Sequence, residues 1–218
     1  MNQLHILNGS EMLSHFQINY PDKTKIYTSF NEAMCWGDVS EDIFSKEFIR
    51  LRSRSLNTIA DEYKKTVIVP LSSLFSKDEL VITLWFDSDM FCQINLLTLL
   101  AYLNQIQYQH DVQINLVDYQ YEILKTYFLN PKNYKEIYKE VLINKSIPEY
   151  PILPIMQTGI KLYLHLQKEN NEIVSFISDH IDLSTSDLLD LLLLNFQHYG
   201  LGDIQYLQLI EKTRLNFR

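Results

Sequence analysis

"LWFDSDMFCQINLLTLLAYL", Leu84 to Leu103, decides the fold. With the preceding "ELVIT" its first residues are β-branched, aliphatic and aromatic, so Glu79 to Phe86 reads as a strand. Three polar residues follow, Asp87, Ser88 and Asp89, and then a Leu-rich stretch expected to be helical over 89–103. Asp87 or Ser88 is suited to cap that helix, with Asp89 in its first turn near the positive end of the helix dipole. At about 100° per residue, Asn95, Thr98 and Tyr102 make a polar stripe expected to face water. Leu96, Leu100 and Leu103 lie opposite, and Asp89 and Gln93 fall on that apolar side. A glutamine there needs partners for its amide, either first-turn backbone groups or a ligand.

Working outward, "QLHILNGS" reads as a strand ending in a turn at Asn8-Gly9, and a helix from Ser10 to Phe16 follows with Ser10 as its cap. "TKIYTSF" is a second strand running into a polar turn at Asn31-Glu32. "SEDIFSKEFIRLRSR" is expected to be helical from Ser40, with Ile43, Phe44, Glu47, Phe48 and Leu51 on one stripe. Residues 57–75 read as helical pieces broken at Pro70. "VQINLVDY", Val112 to Tyr119, is the fourth strand. Strands separated by helices predict an α/β, Rossmann-like fold: a mostly parallel sheet of about four strands flanked by helices, with an all-helical C-terminal region. The expected divisions are an α/β sheet domain over 1–120, a polar helix and Pro-rich connector ("SIPEYPILP") over 121–154, and helices over 155–218.

Composition bounds the rest. The chain has 218 residues, 46% of them hydrophobic, with 14 Tyr and 11 Phe against 5 Gly, enough to bury a core. A formal net charge of −8 argues against nonspecific binding to DNA or anionic membranes. The one dense basic run is "RLRSR", where Arg50 and Arg54 share a helix face, Arg52 points elsewhere, and a solvated basic face is the simpler account. Cys35 and Cys92 are far apart with no C-x-x-C, which reads as reduced thiols in a cytoplasmic protein. The N-terminus lacks a secretory pattern, and "DLLDLLLLNF" is short and interrupted by Asp187 and Asp190, so no membrane span is expected.

Parallel sheets bind ligands outside the carboxyl ends of their strands. The expected ligand-binding residues are Asn8, Gly9, Ser10, Glu32, Trp85, Asp87, Asp89, Gln93 and Asp118, with Asp89 as the candidate acid–base group. The ligand is expected to be a small molecule, a nucleotide or phosphorylated metabolite. No cofactor is specified and no metal motif appears: the six histidines form no H-E-x-x-H. "NGSEM" matches neither glycine-rich phosphate fingerprint, although Ser10 at a helix N-terminus can meet a phosphate. His5, inside the first strand, reads as a satisfied core histidine. Trp36 and Trp85 read as core or cleft-wall residues, and Trp85 offers a stacking surface as the alternative.

Leu4, His5, Ile6 and Gly9, with Leu84, Trp85, Asp89, Gln93 and Leu96, resemble the motifs of an uncharacterised bacterial domain-of-unknown-function family, the one numbered eighteen thirty-five. Its members begin L-H-I-[VL]-x-G-D-S and carry L-W-x-x-x-D-x-x-D-Q-x-x-L. "PILPIMQTGIKLYL" and "DLSTSDLL" stand where a helical companion region follows. Ser10 and Cys92 occupy positions where the family has Asp. The resemblance implies the architecture and supplies no activity, cofactor or catalytic residue.

Two other functions compete with ligand binding. The C-terminal helices, with a turn at Gly200-Leu201-Gly202, make a regulatory or interaction module, and one that mimics a helix-turn-helix. Nucleic acid is disfavoured because Asp187, Asp190, Asp203 and Glu211 outnumber Lys212, Arg214 and Arg218 there. An inert scaffold or homo-oligomer would show an exposed Leu-rich face on 187–196.

Overall fold

The computed structural model describes residues 2–76 and 80–216. Strand β3 (Leu80–Phe86) is central, and its alternation sets the two faces of the sheet. Leu80, Ile82, Leu84 and Phe86 are buried on the face covered by α4 (Met90–Gln105), while Thr83 and Trp85 point to the other. Glu79, expected to begin this strand, lies outside the described residues, as does Arg218. β1 (Asn2–Asn8) lies parallel on one side of β3 with Ile6 opposite Leu84, and β4 (Val112–Val117) lies parallel on the other with Ile114 opposite Leu84. β2 (Lys25–Phe30) adds parallel to β1.

The sheet has five strands rather than about four, in the order β2-β1-β3-β4-β5. β5 (Ile123–Leu129) pairs antiparallel with β4, so the sheet continues past residue 120, into the stretch the sequence suggested was connector. It is an edge with little burial: Ile123, Leu124 and Phe128 are all more than half exposed, and Tyr127 and Leu129 are only partly covered by the core. Without burial on one face there is no period-two signal to read.

Helix α1 (Ser10–Asn19) packs on the Trp85 face of the sheet through Met12 and Phe16. Its cap is Gly9 rather than Ser10, and no side chain satisfies its first N–H groups. The other face is thicker. There α4 lies between the sheet and α5 (Tyr134–Tyr138) and α6 (Pro154–Leu166), so it is buried on every side. The polar stripe expected to face water is therefore interior. Asn95 and Thr98 are fully buried, Thr98 donating to the Ile94 carbonyl (3.0 Å), and Tyr102 packs edge-on against Phe44 and Phe75. Local spacing carries no information about a second layer arriving from later in the chain.

Between β2 and β3 the chain forms α2 (Lys46–Ser55) and α3 (Ala60–Tyr63), then a π turn over Lys64–Ile68 and a 3-10 turn over Pro70–Phe75. Ser45, not Ser40, caps α2 by accepting from the Phe48 amide (3.1 Å). Ile43 and Phe44 precede the helix in a buried loop, Phe44 with φ of 63°. The last elements are α7 (Glu172–Asp179), α8 (Thr185–Asn195) and α9 (Asp203–Asn216), with Asn171 and Ser184 capping the first two. Leu188 and Leu192 of α8 turn inward; across 187–196 the large exposed apolar side chain is Leu194. No helix among the described residues is long and apolar enough to cross a membrane.

One ion pair ties these pieces together. Arg52 of α2 is fully buried and meets the equally buried Glu32, just past β2, at 2.8 Å. All five guanidinium N–H groups have acceptors: both Glu32 oxygens and the carbonyls of Ala33, Trp36 and Asp38. The Tyr63 hydroxyl donates to the second Glu32 oxygen (2.5 Å). Neither a solvated Arg52 nor an exposed Glu32 turn is what folding produces, because a five-donor fork can organise a loop with no other core. Arg52→Ala should cost about 3–5 kcal/mol in urea unfolding, since it strands a buried carboxylate. Adding Glu32→Gln should recover only part of that, because three loop carbonyls still lose their donor. A cost below about 1 kcal/mol for Arg52→Ala would remove the ion pair from this role.

Candidate functional site

The carboxyl ends of β1 and β3 lie side by side, and the helices after them leave on opposite faces of the sheet. In the strand order β2-β1-β3-β4-β5, this is where the direction of winding reverses, the position at which open α/β sheets bind their ligands. Asn8, the last residue of β1, reaches into the first turns of α4. Its Nδ2 donates to the Cys92 sulfur (2.8 Å), and its Oδ1 accepts from Asn95 Nδ2 (3.0 Å). Asn95 also donates to the Glu32 carbonyl (2.6 Å) and accepts from the Met34 amide (3.0 Å). The ends of two strands, β1 and β2, are thereby hydrogen-bonded to one helix.

Asp89 is the cap of α4, the place expected for Asp87 or Ser88. One oxygen accepts from the Cys92 amide (2.7 Å) and the other from the Cys92 thiol (3.2 Å). From the far end of the chain, Gly200, at φ of 65°, sits so close that a Cβ would collide with the Asp89 carboxylate. This approach holds the carboxyl in a half-buried place. Burial is the largest influence on it, outweighing the hydrogen bonds from Cys92, and its pKa rises from 3.8 to about 6. The Cys92 thiol is also pushed well up, by burial and then by Asp89, so it is a protonated donor and not a nucleophile.

Gln93 is fully buried, its Nε2 donating to the Asp87 carbonyl (2.7 Å) while its Oε1 has no partner. Asp87 itself is half-buried, its carboxylate receiving the Ser88 amide, and Ser88 and Ser10 are exposed. Gly9 adopts φ of 95° and ψ of 161°, a backbone nearly restricted to glycine, and its missing Cβ would meet nothing within 4 Å.

The remaining expected residues are elsewhere. Glu32 is near the cluster only through its carbonyl; its carboxylate belongs to the Arg52 pair. Trp85 lies on the other face of the sheet, against Phe16 at 4.8 Å, because it is one residue out of phase with Leu84 and Phe86. Its indole N–H donates to His5 Nδ1 (3.0 Å), which places the His5 proton on Nε2, an atom that is buried and unpartnered. Burial, with a smaller contribution from Lys25, lowers the His5 pKa to about 4. Asp118, at the end of β4, accepts from the amides of Gln120 and Glu122 and so caps the turn into β5.

Sequence reasoning missed Asn8's bonding partner Asn95, and it missed Gly200. The signal for Asn95 was present: an amide, like Gln93, in the first turns of a helix otherwise rich in Leu. No local signal marks Gly200, whose contact spans more than a hundred residues. A cleft of about 640 Å³ lies between Cys35–Gly37 and the C-terminal helices and is not lined by Asn8, Gly9, Asp89 or Gln93. Among the described residues, no group of three or more His, Cys, Asp or Glu is placed to hold a metal ion. Comparison with protein-family models, curated proteins and solved structures finds no match to this chain.

The Asp89 carboxyl makes stability depend on pH. An acid whose folded pKa is raised favours folding fully below its unfolded value, near 3.8, and loses that contribution as pH rises through about 6. Asp89→Asn keeps a good capping residue and abolishes the titration. Relative to Asp89→Asn, wild-type protein should lose about 2–3 kcal/mol between about pH 4 and about pH 7 in denaturant unfolding. His5 acts oppositely in the same window, since its lowered pKa loses stability as pH falls from 6.5 towards about 4. It is common to both proteins and cancels in the comparison. A pH-independent difference would mean that Asp89 is freely solvated.

Proposed function

We propose that this protein binds a small phosphorylated molecule, a nucleotide or sugar phosphate, in the crevice between the ends of β1 and β3, with Asp89 as its proton-exchanging group. The observation that carries the proposal is the meeting of Asn8, Gly9 and Asp89 where the winding of the sheet reverses. On this reading the sheet is Rossmann-like. The uncapped N-terminus of α1 receives the anionic group, and Asp89 and Asp87 receive hydroxyl groups. The orphan Gln93 oxygen supports the same reading, since a buried acceptor without a donor is rare in a finished structure. The helical C-terminal region, through Gly200, would form the cover of the crevice. Kinship with the uncharacterised bacterial family numbered eighteen thirty-five fits this, as Gly9, Asp89 and Gln93 are among the residues that carry the resemblance. A cytoplasmic location fits the two buried free thiols.

A second reading has one observation in its favour. Ile204, Leu207 and Leu215 are exposed on one side of α9, with Glu211 among them, a mixed face suited to a partner helix in a regulatory complex.

A thermal-shift series of nucleotides and sugar phosphates tests the first reading. We expect at least one to raise the melting temperature by about 2 °C or more at millimolar concentration, and Asp89→Ala and Asn8→Ala to abolish that shift. A shift left intact in both variants would move binding to another place, and no shift with any compound would end the proposal.

A further inference from the structure

The outer edge of β5 is built unlike that of a strand meant to stay solvated. Among the described residues, its outward N–H and C=O groups have no protein partner, because β5 ends the sheet and its ladder is made to β4 alone. Exposed strand edges are normally guarded by charges, prolines or short length. Here the strand is seven residues long with a single charge, Lys125, and no proline. Ile123 is 51%, Leu124 64% and Phe128 69% exposed, and Tyr119 in the preceding turn is 82% exposed. On the sheet face that carries Phe128, α1 covers the β1 side, while Val81 remains 39% exposed.

We propose that β5 is a dimerisation edge: two copies of the chain pair their β5 strands antiparallel about a two-fold axis, joining two five-stranded sheets into one of ten strands. The sequence is self-complementary in that arrangement. Pairing about Thr126 sets Thr126 against its own copy, Leu124 against Phe128, and Lys125 against Tyr127 rather than against the other Lys125. Within one chain the Lys125 ammonium already lies over the Tyr127 ring, 4.8 Å from its centroid, so the pair suits a lysine. The flanks agree in charge. Exposed Glu122 precedes the strand and exposed Lys132 follows it, so antiparallel pairing brings each acidic end to a basic end. Parallel pairing would join like ends. A two-fold contact of this kind closes on itself and stops at two copies.

Sedimentation of the full chain should give twice the 25.8 kDa monomer mass at tens of micromolar. Leu124→Lys with Phe128→Lys, at exposed positions that leave the fold intact by circular dichroism, should weaken association at least ten-fold and give the monomer mass. Lys132→Glu should also weaken the dimer, and adding Glu122→Lys should restore it. A wild-type monomer at those concentrations overturns the proposal. So does a dimer indifferent to the edge variants, or an assembly that grows beyond two copies with concentration.

Discussion

The buried Arg52 guanidinium is the constraint on which the rest of the arrangement rests. The loop after β2 holds few regular hydrogen bonds of its own, yet it must stay packed under α2 and beside α4. Arg52 supplies acceptor-matching donors at three carbonyls and a carboxylate, and Tyr63 closes the remaining oxygen. With the loop fixed, the Glu32 carbonyl and the Met34 amide are placed to hold Asn95. Asn95 in turn orients Asn8. A salt bridge that adds little net stability thus gains its importance from geometry: it settles where the strand ends sit relative to the first turns of α4.

The parallel core was legible because its strands are buried on at least one face and its central helix is long. β3 and α4 announce themselves through β-branched and Leu-rich runs bounded by polar residues. Where burial has no local period, the sequence is silent. β5 is an exposed edge, and α4 is covered by α5 and α6 from far along the chain, so an expected solvent stripe became interior. Helix spacing sets Arg52 apart from Arg50 and Arg54, and Arg50 does make an exposed pair with Glu47, but spacing does not say that the Arg52 side turns inward rather than to water. Its partner lies across a loop, and tertiary context alone assigns it inward.

The candidate site was legible in part for the same reason. Parallel topology implies that strand ends gather at one edge, which brings Asn8 and Asp89 together. It does not say which face each side chain takes. Trp85 differs from Phe86 by one residue, and that single step carries it through the sheet to α1. Asp118 shares the edge but stands two strands from β1, occupied by the turn into β5. What remains at the ends of β1 and β3 is a narrower set, Asn8, Gly9, Asp87 and Asp89, with Cys92, Gln93 and Asn95 behind it.

That set raises a conflict of charge, and its resolution bears on how a ligand would bind. A phosphate at the open end of α1 would stand on a rim that carries Asp87 and Asp89 and has no lysine or arginine from the strand ends to offset it. Repulsion between like charges would make such a site poor if Asp89 were fixed as a carboxylate. Its pKa of about 6 means that it is not. A nearby anion raises the pKa further, so the carboxyl takes up a proton as the anion arrives and turns from a repelling charge into a hydrogen-bond donor. Affinity for a phosphorylated ligand should then rise as pH falls from about 8 towards about 6, by up to roughly ten-fold for one coupled proton per unit of pKa shift. Titration calorimetry in buffers of different ionisation enthalpy reads this directly as proton uptake. Asp89→Asn should abolish both the uptake and the pH dependence while leaving an anion free to bind at the helix end. Binding that is flat with pH in the wild type would place the anion away from Asp89.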